Sequence, residues 1–355
     1  MEYFESMKVW VRRQRSEAFR DMGKAPISLR WVDVNKGDDE NPNYRSRLVA
    51  REIRRFGEEP IFAPTPPLES LRTIISLAAT DLPGRKRHVR DPTSEKRTQV
   101  SFIDIKRAYL CAKTDPNDPT YVELPKEHPW SKDSNNCALL MRHMYGTRKA
   151  GDGWHEEISG TLTDKLGFSK GDASACIFRH PEMAIECSIH GDDLSAAGPK
   201  DALDWYKEEL QKYYELDEGA RLGPGPKDTK EAKMLNRIIR WTPDGLEYEA
   251  DPRQSEQLIR DLGMSGSKAV GTPGVKTTAE QMASDKELAH HRQRPYRGVA
   301  ARANYLSADR PDMQHAAKEV CRWMSTPTET ALVALKRIGR YLEGHSRLVY
   351  LSFLG

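Results

Sequence analysis

The sequence predicts an α+β fold, on three observations. Strand-like runs and amphipathic helices alternate through residues 31–250, and beyond residue 252 the apolar spacing becomes helical. The stretch Gly223-Pro224-Gly225-Pro226 interrupts the chain between those parts. Two short strand-like runs, Glu182–Ile189 and Leu194–Gly198, meet at His190-Gly191-Asp192-Asp193, the sequence form of a tight hairpin.

Residues 1–30 are a charged lead-in, with Val9-Trp10-Val11 read as helical. Leu29–Lys36 and Tyr44–Ile53 read as two strands around the turn-rich Gly37–Asn43. Strand side chains alternate, so Arg45 and Arg47 share one face of this arm. Thr65-Pro66-Pro67 starts a helix, a capping hydroxyl followed by prolines suited to its first turn. Leu68, Leu71, Ile74, Ile75 and Ala78 follow at helical spacing, and Asp81 to Gly84 closes the element. Residues 84–98 are basic and polar and read as an exposed loop. Val100–Ile105 is a strand with an acid, Asp104, near its end, where an unpaired carboxylate is expensive to bury.

Tyr121–Pro125 and Ala138–Met141 are short strands. Trp154, Ile158, Leu162 and Leu166 then form one helical stripe that stops at Gly167. After the hairpin, Leu203, Tyr206, Leu210 and Tyr213 mark another helix. Met234–Trp241 and Leu246–Ala250 read as a strand pair across Pro243-Asp244-Gly245. The last part carries helices at Gln257–Leu262, Met313–Met324 and Leu332–Leu342.

A chain of 355 residues suggests two or three domains or one large enzyme domain. With 37% apolar and 31% charged residues, much of its surface must be charged. The net charge of +3 neither demands nor excludes nucleic acid, but the basic residues cluster at 12–20, 45–55, 85–97 and 292–302. Such runs are either solvated faces or phosphate-contacting surfaces. The five cysteines are scattered, odd in number and free of any C-x-x-C pair, which argues against a disulfide framework and a zinc site. A soluble protein in a reducing, intracellular setting is expected, with no membrane partner, because no apolar run reaches spanning length.

The hairpin tip supports two readings. Gly191 and Asp192 can serve only to turn the chain. Two adjacent carboxylates beside a sheet, however, repel one another unless a cation sits there. If the Asp104 strand neighbours the hairpin, three carboxylates converge. Hard divalent ions take oxygen ligands, commonly one or two carboxylates plus substrate phosphates, and a pair of such ions serves phosphoryl transfer.

The order of segments resembles the reverse transcriptase domain of copia-type long-terminal-repeat retrotransposons. Arg45-Ser46-Arg47-Leu48-Val49-Ala50-Arg51 is similar to that family's basic K-A-R-L-V-A strand, and Phe62-Ala63-Pro64 before the next helix to its F-A-P-V. Ile103-Asp104-Ile105-Lys106-Arg107-Ala108-Tyr109-Leu110 resembles D-V-K-x-A-F-L, and Tyr121–Pro125 resembles Y-M-x-x-P. Met144–Arg148 with Trp154 resembles L-Y-G-L-K…W, and His190–Asp193 stands at the place of Y-V-D-D. Tyr296-Arg297, Tyr305-Leu306 and Arg310–Met313 resemble Y-R…Y-L…T-R-P-D-I, and Ala334–Gly344 resembles A-x-K-R-I-x-R-Y-L-K-G. The likeness runs in unbroken order from about residue 30 to 344.

This resemblance implies a right-hand polymerase. Residues 31–250 would hold the fingers and a palm with an antiparallel sheet. Residues 251–355 would form a helical thumb or connection region, ending where a ribonuclease H domain begins in the family. It implies RNA-directed DNA polymerase activity, with deoxynucleoside triphosphates added to a primer 3′-hydroxyl on an RNA or DNA template. Asp104, Asp192 and, less critically, Asp193 would bind two magnesium ions, or manganese in their place. The site of action would be intracellular, in a cytoplasmic virus-like particle or in the nucleus.

Backbone near Arg107 and Ala108 would lie beside the triphosphate. Tyr109 matches the aromatic position that crowds the ribose 2′-hydroxyl; the plain alternative is a packed core aromatic. Arg45 and Arg47 would meet the triphosphate or template, or form a solvated strand face. This chain departs from the family at several points. His190 and Gly191 replace tyrosine and valine, making the tip smaller and more flexible. His190 either stacks on the primer end or is a tolerated strand residue. Lys149-Ala150-Gly151 replaces Q-S-P, where Lys149 could contact a phosphate, and Asn236 replaces the glycine of F-L-G-I. The alternative to an active polymerase is a decayed, non-catalytic nucleic-acid binder of the same fold.

Overall fold

The computed structural model describes residues 2–54, 56–57, 61, 63–80 and 97–353. They fall into two compact units, Met1–Ile74 with Val100–Gly219, and Ile75–Gln99 with Ala220–Gly355. In chain order the first elements are α1 (Glu2–Ser6), β1 (Trp10–Gln14), α2 (Arg15–Met22), β2 (Leu29–Asn35), β3 (Tyr44–Ala50) and α3 (Leu68–Ala79). Then come β4 (Gln99–Ile105), β5 (Tyr121–Val122), β6 (Asn136–Leu140) and α4 (Ala150–Gly160). β7 (Ser169–Lys170), β8 (Ile177–His180), β9 (Ile185–His190), β10 (Asp193–Gly198), α5 (Lys200–Gln211) and β11 (Leu216–Leu222) follow. The α+β class expected from the sequence is the class observed.

In the first unit a three-stranded sheet has the order β1-β6-β5. The helical reading of Val9-Trp10-Val11 is therefore corrected: Trp10 pairs with Leu140 and Val11 with Leu139 in an antiparallel ladder. An aromatic between two β-branched residues favours a pleated surface once a partner strand is present. β2 and β3 form a separate two-stranded arm, with Val34 opposite Arg45 and Val32 opposite Arg47. Of the loop expected over 84–98, residues 84–96 lie outside the described residues, while Arg97 and Thr98 are buried rather than exposed. Phe62 also lies outside them.

The larger sheet has the order β11-β4-β10-β9-β8-β7. Its core joins Ile103 and Ile105 of β4 to Ile189 of β9, Leu194 of β10, the Trp154–Ile158–Leu162 stripe and the Leu203–Tyr206–Leu210 stripe. The stripe beginning in α4 runs on through a π-helical turn, Thr161–Lys165, and ends at Gly167 with φ +76°. Sheet order sets the site, because β4 is the immediate neighbour of β10.

The second unit adds β12 (Glu231–Met234), β13 (Arg237–Trp241), β14 (Gly245–Glu249), α6 (Pro252–Asp261), α7 (Ala279–Ala283), α8 (His290–Ser307), α9 (Gln314–Cys321), α10 (Glu329–Gly344) and β15 (Val349–Phe353). Its sheet has the order β12-β13-β14-β15. The single strand read at Met234–Trp241 is two strands, with Met234 facing Arg237 across a turn at Leu235-Asn236. Both turn residues have positive φ, 49° and 65°. Helices α6, α8, α9 and α10 share one apolar cluster that includes Leu258, Tyr296, Leu306, Val320, Leu335 and Leu342. Arg310 is buried there. It pairs with Asp312 at 2.7 Å and donates to the carbonyls of His345 and Ser346 beyond α10, at 2.8 and 3.1 Å. Among the described residues no helix is long and apolar enough to cross a membrane.

Candidate active site

Strand β4 buries six of its seven residues, and the one exposed is Asp104. The fold thus avoids the cost of burying that carboxylate by turning it to solvent. Beside it, β9 and β10 pair with His190 opposite Asp193, which leaves Gly191-Asp192 as a two-residue turn. Gly191 takes φ +65°, a conformation that suits glycine at the head of such a turn. Asp192 is therefore in the turn, while Asp193 opens β10.

Two hydrogen bonds tie this turn to its surroundings. The Ile105 N–H donates to the Asp192 carbonyl at 2.9 Å, so the residue after Asp104 is bonded directly to the turn. The Trp154 indole Nε1–H donates to the Gly191 carbonyl at 2.7 Å.

The three acids repel one another. Burial pushes the Asp193 carboxyl up to about 6, helped by the negative charges of Asp192 and Asp104. Asp104 is also raised, first by partial loss of water and then by Asp192, with Arg45 opposing the shift. With Asp217 adding to it, this is a local excess of negative charge only partly answered by Arg45 and Lys106. Oxygen donors in such a field suit a hard divalent ion. Among the described residues, no three His, Cys, Asp or Glu side chains gather into a closed metal-holding group. The arrangement fits an ion held by one or two carboxylates and completed by substrate oxygens, as magnesium often is.

An aromatic wall stands next to the acids. The Tyr109 and Tyr145 rings are 4.8 Å apart, and the Arg47 guanidinium lies over Tyr145 at 5.5 Å. Burial and then Asp192 raise both phenols, Tyr145 to about 12, while Arg47 and Arg45 act against the rise at Tyr145. Tyr109 is half-buried and packs against the main core on the side of the acids. Arg45 and Arg47 are exposed on β3.

The other expected site residues are placed differently. Arg107 has a left-handed backbone, φ 56°, ahead of the 3-10 turn Ala108–Cys111. Its guanidinium donates to Glu215 at 3.0 Å and lies over the Tyr3 ring at 3.8 Å. Ala108 is buried. Lys149 is ion-paired with Asp118. His190 ends β9, half-buried, opposite Asp193. In the sequence Tyr145 stands out only as a motif letter and Trp154 as a motif letter and a member of a helical stripe, while Glu215, which accepts from Arg107, and Asp217, whose charge adds to the rise at Asp104, carry no signal. The Tyr-Gly pair and the tryptophan were the available signals, but their contacts are tertiary.

A family model described as reverse transcriptase (RNA-dependent DNA polymerase) matches residues 20–223. The chain is 25% identical over 337 residues to the Retrovirus-related Pol polyprotein from transposon TNT 1-94 of Nicotiana tabacum, covering 91% of this chain and 23% of that protein. It is 24% identical over 326 residues to the corresponding polyprotein from transposon RE1 of Arabidopsis thaliana, covering 90% of this chain and 20% of that one. The chain thus spans about a quarter or less of the curated relatives it matches. A solved foamy viral protease-reverse transcriptase in complex with dsDNA aligns at 10% identity and a TM-score of 0.47, over 97% of this chain and 55% of that one. The matched model covers more than half of the 355 residues, and the chain belongs to the reverse transcriptase (RNA-dependent DNA polymerase) family, in its copia-type retrotransposon branch.

Proposed function

We propose that this chain is an RNA-directed DNA polymerase that extends a primer on an RNA or DNA template with deoxynucleoside triphosphates, inside the cell. The observation that carries the reading is Asp104, exposed on an otherwise buried strand whose next residue is hydrogen-bonded to the Asp192 carbonyl. Asp104 and Asp192, with Asp193 in support, would hold magnesium or manganese. Bound there as a pair, such ions supply the positive charge that activates a primer 3′-hydroxyl and offsets the triphosphate.

The chain's own residues do the rest. Arg45 and Arg47, exposed on β3, bind phosphate oxygens through charge-assisted bonds. The backbone at Arg107 and Ala108 borders the triphosphate. Tyr109, braced by Tyr145, crowds the ribose 2′ position and favours deoxynucleotides. Lys149, His190 and Gly191 face template and primer, and Lys149 must leave Asp118 to reach a phosphate. Fingers and palm occupy 31–250 and the thumb region 251–355.

A second reading, a nucleic-acid binder without turnover, draws on the lack of a closed three-residue metal group among the described residues and on the ion-paired Lys149. Primer extension on poly(rA)/oligo(dT) with magnesium separates the two. Deoxynucleotide incorporation is expected from the wild type and not from Asp192→Asn. Equal signals from both, or none from either while template binding persists, would sink the catalytic reading. For Tyr109→Ala, rising ribonucleotide incorporation is expected, and unchanged sugar selectivity would assign that ring to packing alone.

A further inference from the structure

We infer that Trp154 is a positioning residue for the turn that carries Asp192, acting through the Gly191 carbonyl. The inference rests on the metal-holding role proposed for Asp192. The Trp154 Nε1–H donates to the Gly191 oxygen at 2.7 Å, and the Ile105 N–H donates to the Asp192 oxygen at 2.9 Å. Those carbonyls belong to the two peptide planes on either side of the Asp192 Cα. With both planes held, the direction of the Asp192 side chain bond is held as well.

Gly191 has no side chain of its own to brace the tip. A Cβ built on Gly191 would meet no atom within 4 Å, and glycine itself leaves the backbone free to rotate. The indole, by contrast, is fixed. Trp154 is 1% exposed and packs edge-on against Tyr214, with ring centroids 5.4 Å apart. The Tyr214 hydroxyl is itself bonded to Thr161 at 2.7 Å. Burying an indole N–H without an acceptor is costly, and here it finds the residue preceding Asp192. Helix α4 thereby ties the turn to the core on one side while β4 ties it on the other. The smaller, glycine-led tip of this chain gains from the tryptophan the rigidity its sequence removes.

The test compares Trp154→Phe, which keeps an aromatic ring and removes the donor, with Ile158→Val, which trims the same stripe away from the turn. In Trp154→Phe, amide exchange at residues 190–193 is expected to speed up about tenfold, the scale of one lost hydrogen bond. Manganese binding to the whole chain, measured by calorimetry, is expected to weaken severalfold, with a thermal midpoint close to that of Ile158→Val. Ile158→Val should leave both the exchange and the manganese affinity at wild-type values. Wild-type exchange and affinity in Trp154→Phe, or equal changes in Ile158→Val, overturn the inference.

Should Trp154→Phe fold poorly, the unmodified chain decides. Its Trp154 indole N–H resonance is expected to shift on magnesium addition and to stay put in Asp192→Asn; an unmoved resonance in the wild type overturns the inference. Manganese affinity unchanged by Asp192→Asn removes the metal role of Asp192 instead, and the exchange at 190–193 still decides what Trp154 does.

Discussion

At Asp193 the fold works against a negative charge. Its carboxyl is pushed up to about 6 by burial and by Asp192 and Asp104, against about 3.9 in an unfolded chain. A raised carboxyl favours the protonated folded form. Its contribution is therefore fully present below about pH 4 and is lost as pH rises through about 6. In the absence of metal, the stability of the wild type is expected to fall relative to Asp193→Asn across that window. Magnesium should shrink the difference, because a cation answers the repulsion. Chemical denaturation at a series of pH values in EDTA and in magnesium measures this, and parallel curves for the two proteins would refute it. The acids themselves were legible: one lone carboxylate in an apolar strand and two more at a glycine turn are visible without coordinates. The Tyr109–Tyr145 contact and the Trp154 bond were not, since each joins residues that no local periodicity relates.

Two hairpins make the same point about elements. The β9–β10 hairpin was readable because Gly191 supplies the positive φ that a two-residue turn needs. The turn between β12 and β13 is hidden within the apparent strand Met234–Trp241 because Leu235 is no turn former, and yet it and Asn236 both sit at positive φ. Asn236 was the available signal. Asparagine tolerates the left-handed region, which accounts physically for its standing where the family has glycine. Its side chain also accepts from Arg253 at 3.1 Å. Asn236→Gly is expected to change stability by no more than about 0.5 kcal/mol, whereas Asn236→Val should cost about 1–2 kcal/mol because a β-branched residue fits that region badly. Urea midpoints of the two variants check the order, and equal midpoints would mean that the turn relaxes. Helix α8, the longest among the described residues, is hidden in the sequence for a different reason. Its buried stripe includes Tyr296, Val299, Ala300, Ala303 and Leu306, weighted toward small residues, and Pro295 stands inside the helix just before it.

Across the molecule, apolar stripes located most of the core, but the polar bonds that join elements could not be read from them. In the second unit the clearest case is Asp309, just beyond α8. Its carboxylate accepts from Arg237 of β13 at 2.7 and 3.0 Å and from the Tyr248 hydroxyl of β14 at 2.7 Å. Arg237 and Asp309 are both almost fully buried, so this pair differs in kind from surface pairs such as Arg322–Glu319. Exposed pairs are worth about 0–1 kcal/mol, but deleting one partner of a buried pair leaves a charge with no water and no counter-ion. Asp309→Asn is therefore expected to destabilise the protein by about 3–5 kcal/mol. Tyr248→Phe, which removes one of several bonds to the same carboxylate, should cost about 1 kcal/mol. Urea denaturation gives both numbers. A loss under about 1 kcal/mol for Asp309→Asn would mean that water reaches Arg237 once the charge is gone. The end of α8 would then be held to the sheet by apolar packing rather than by the ion pair.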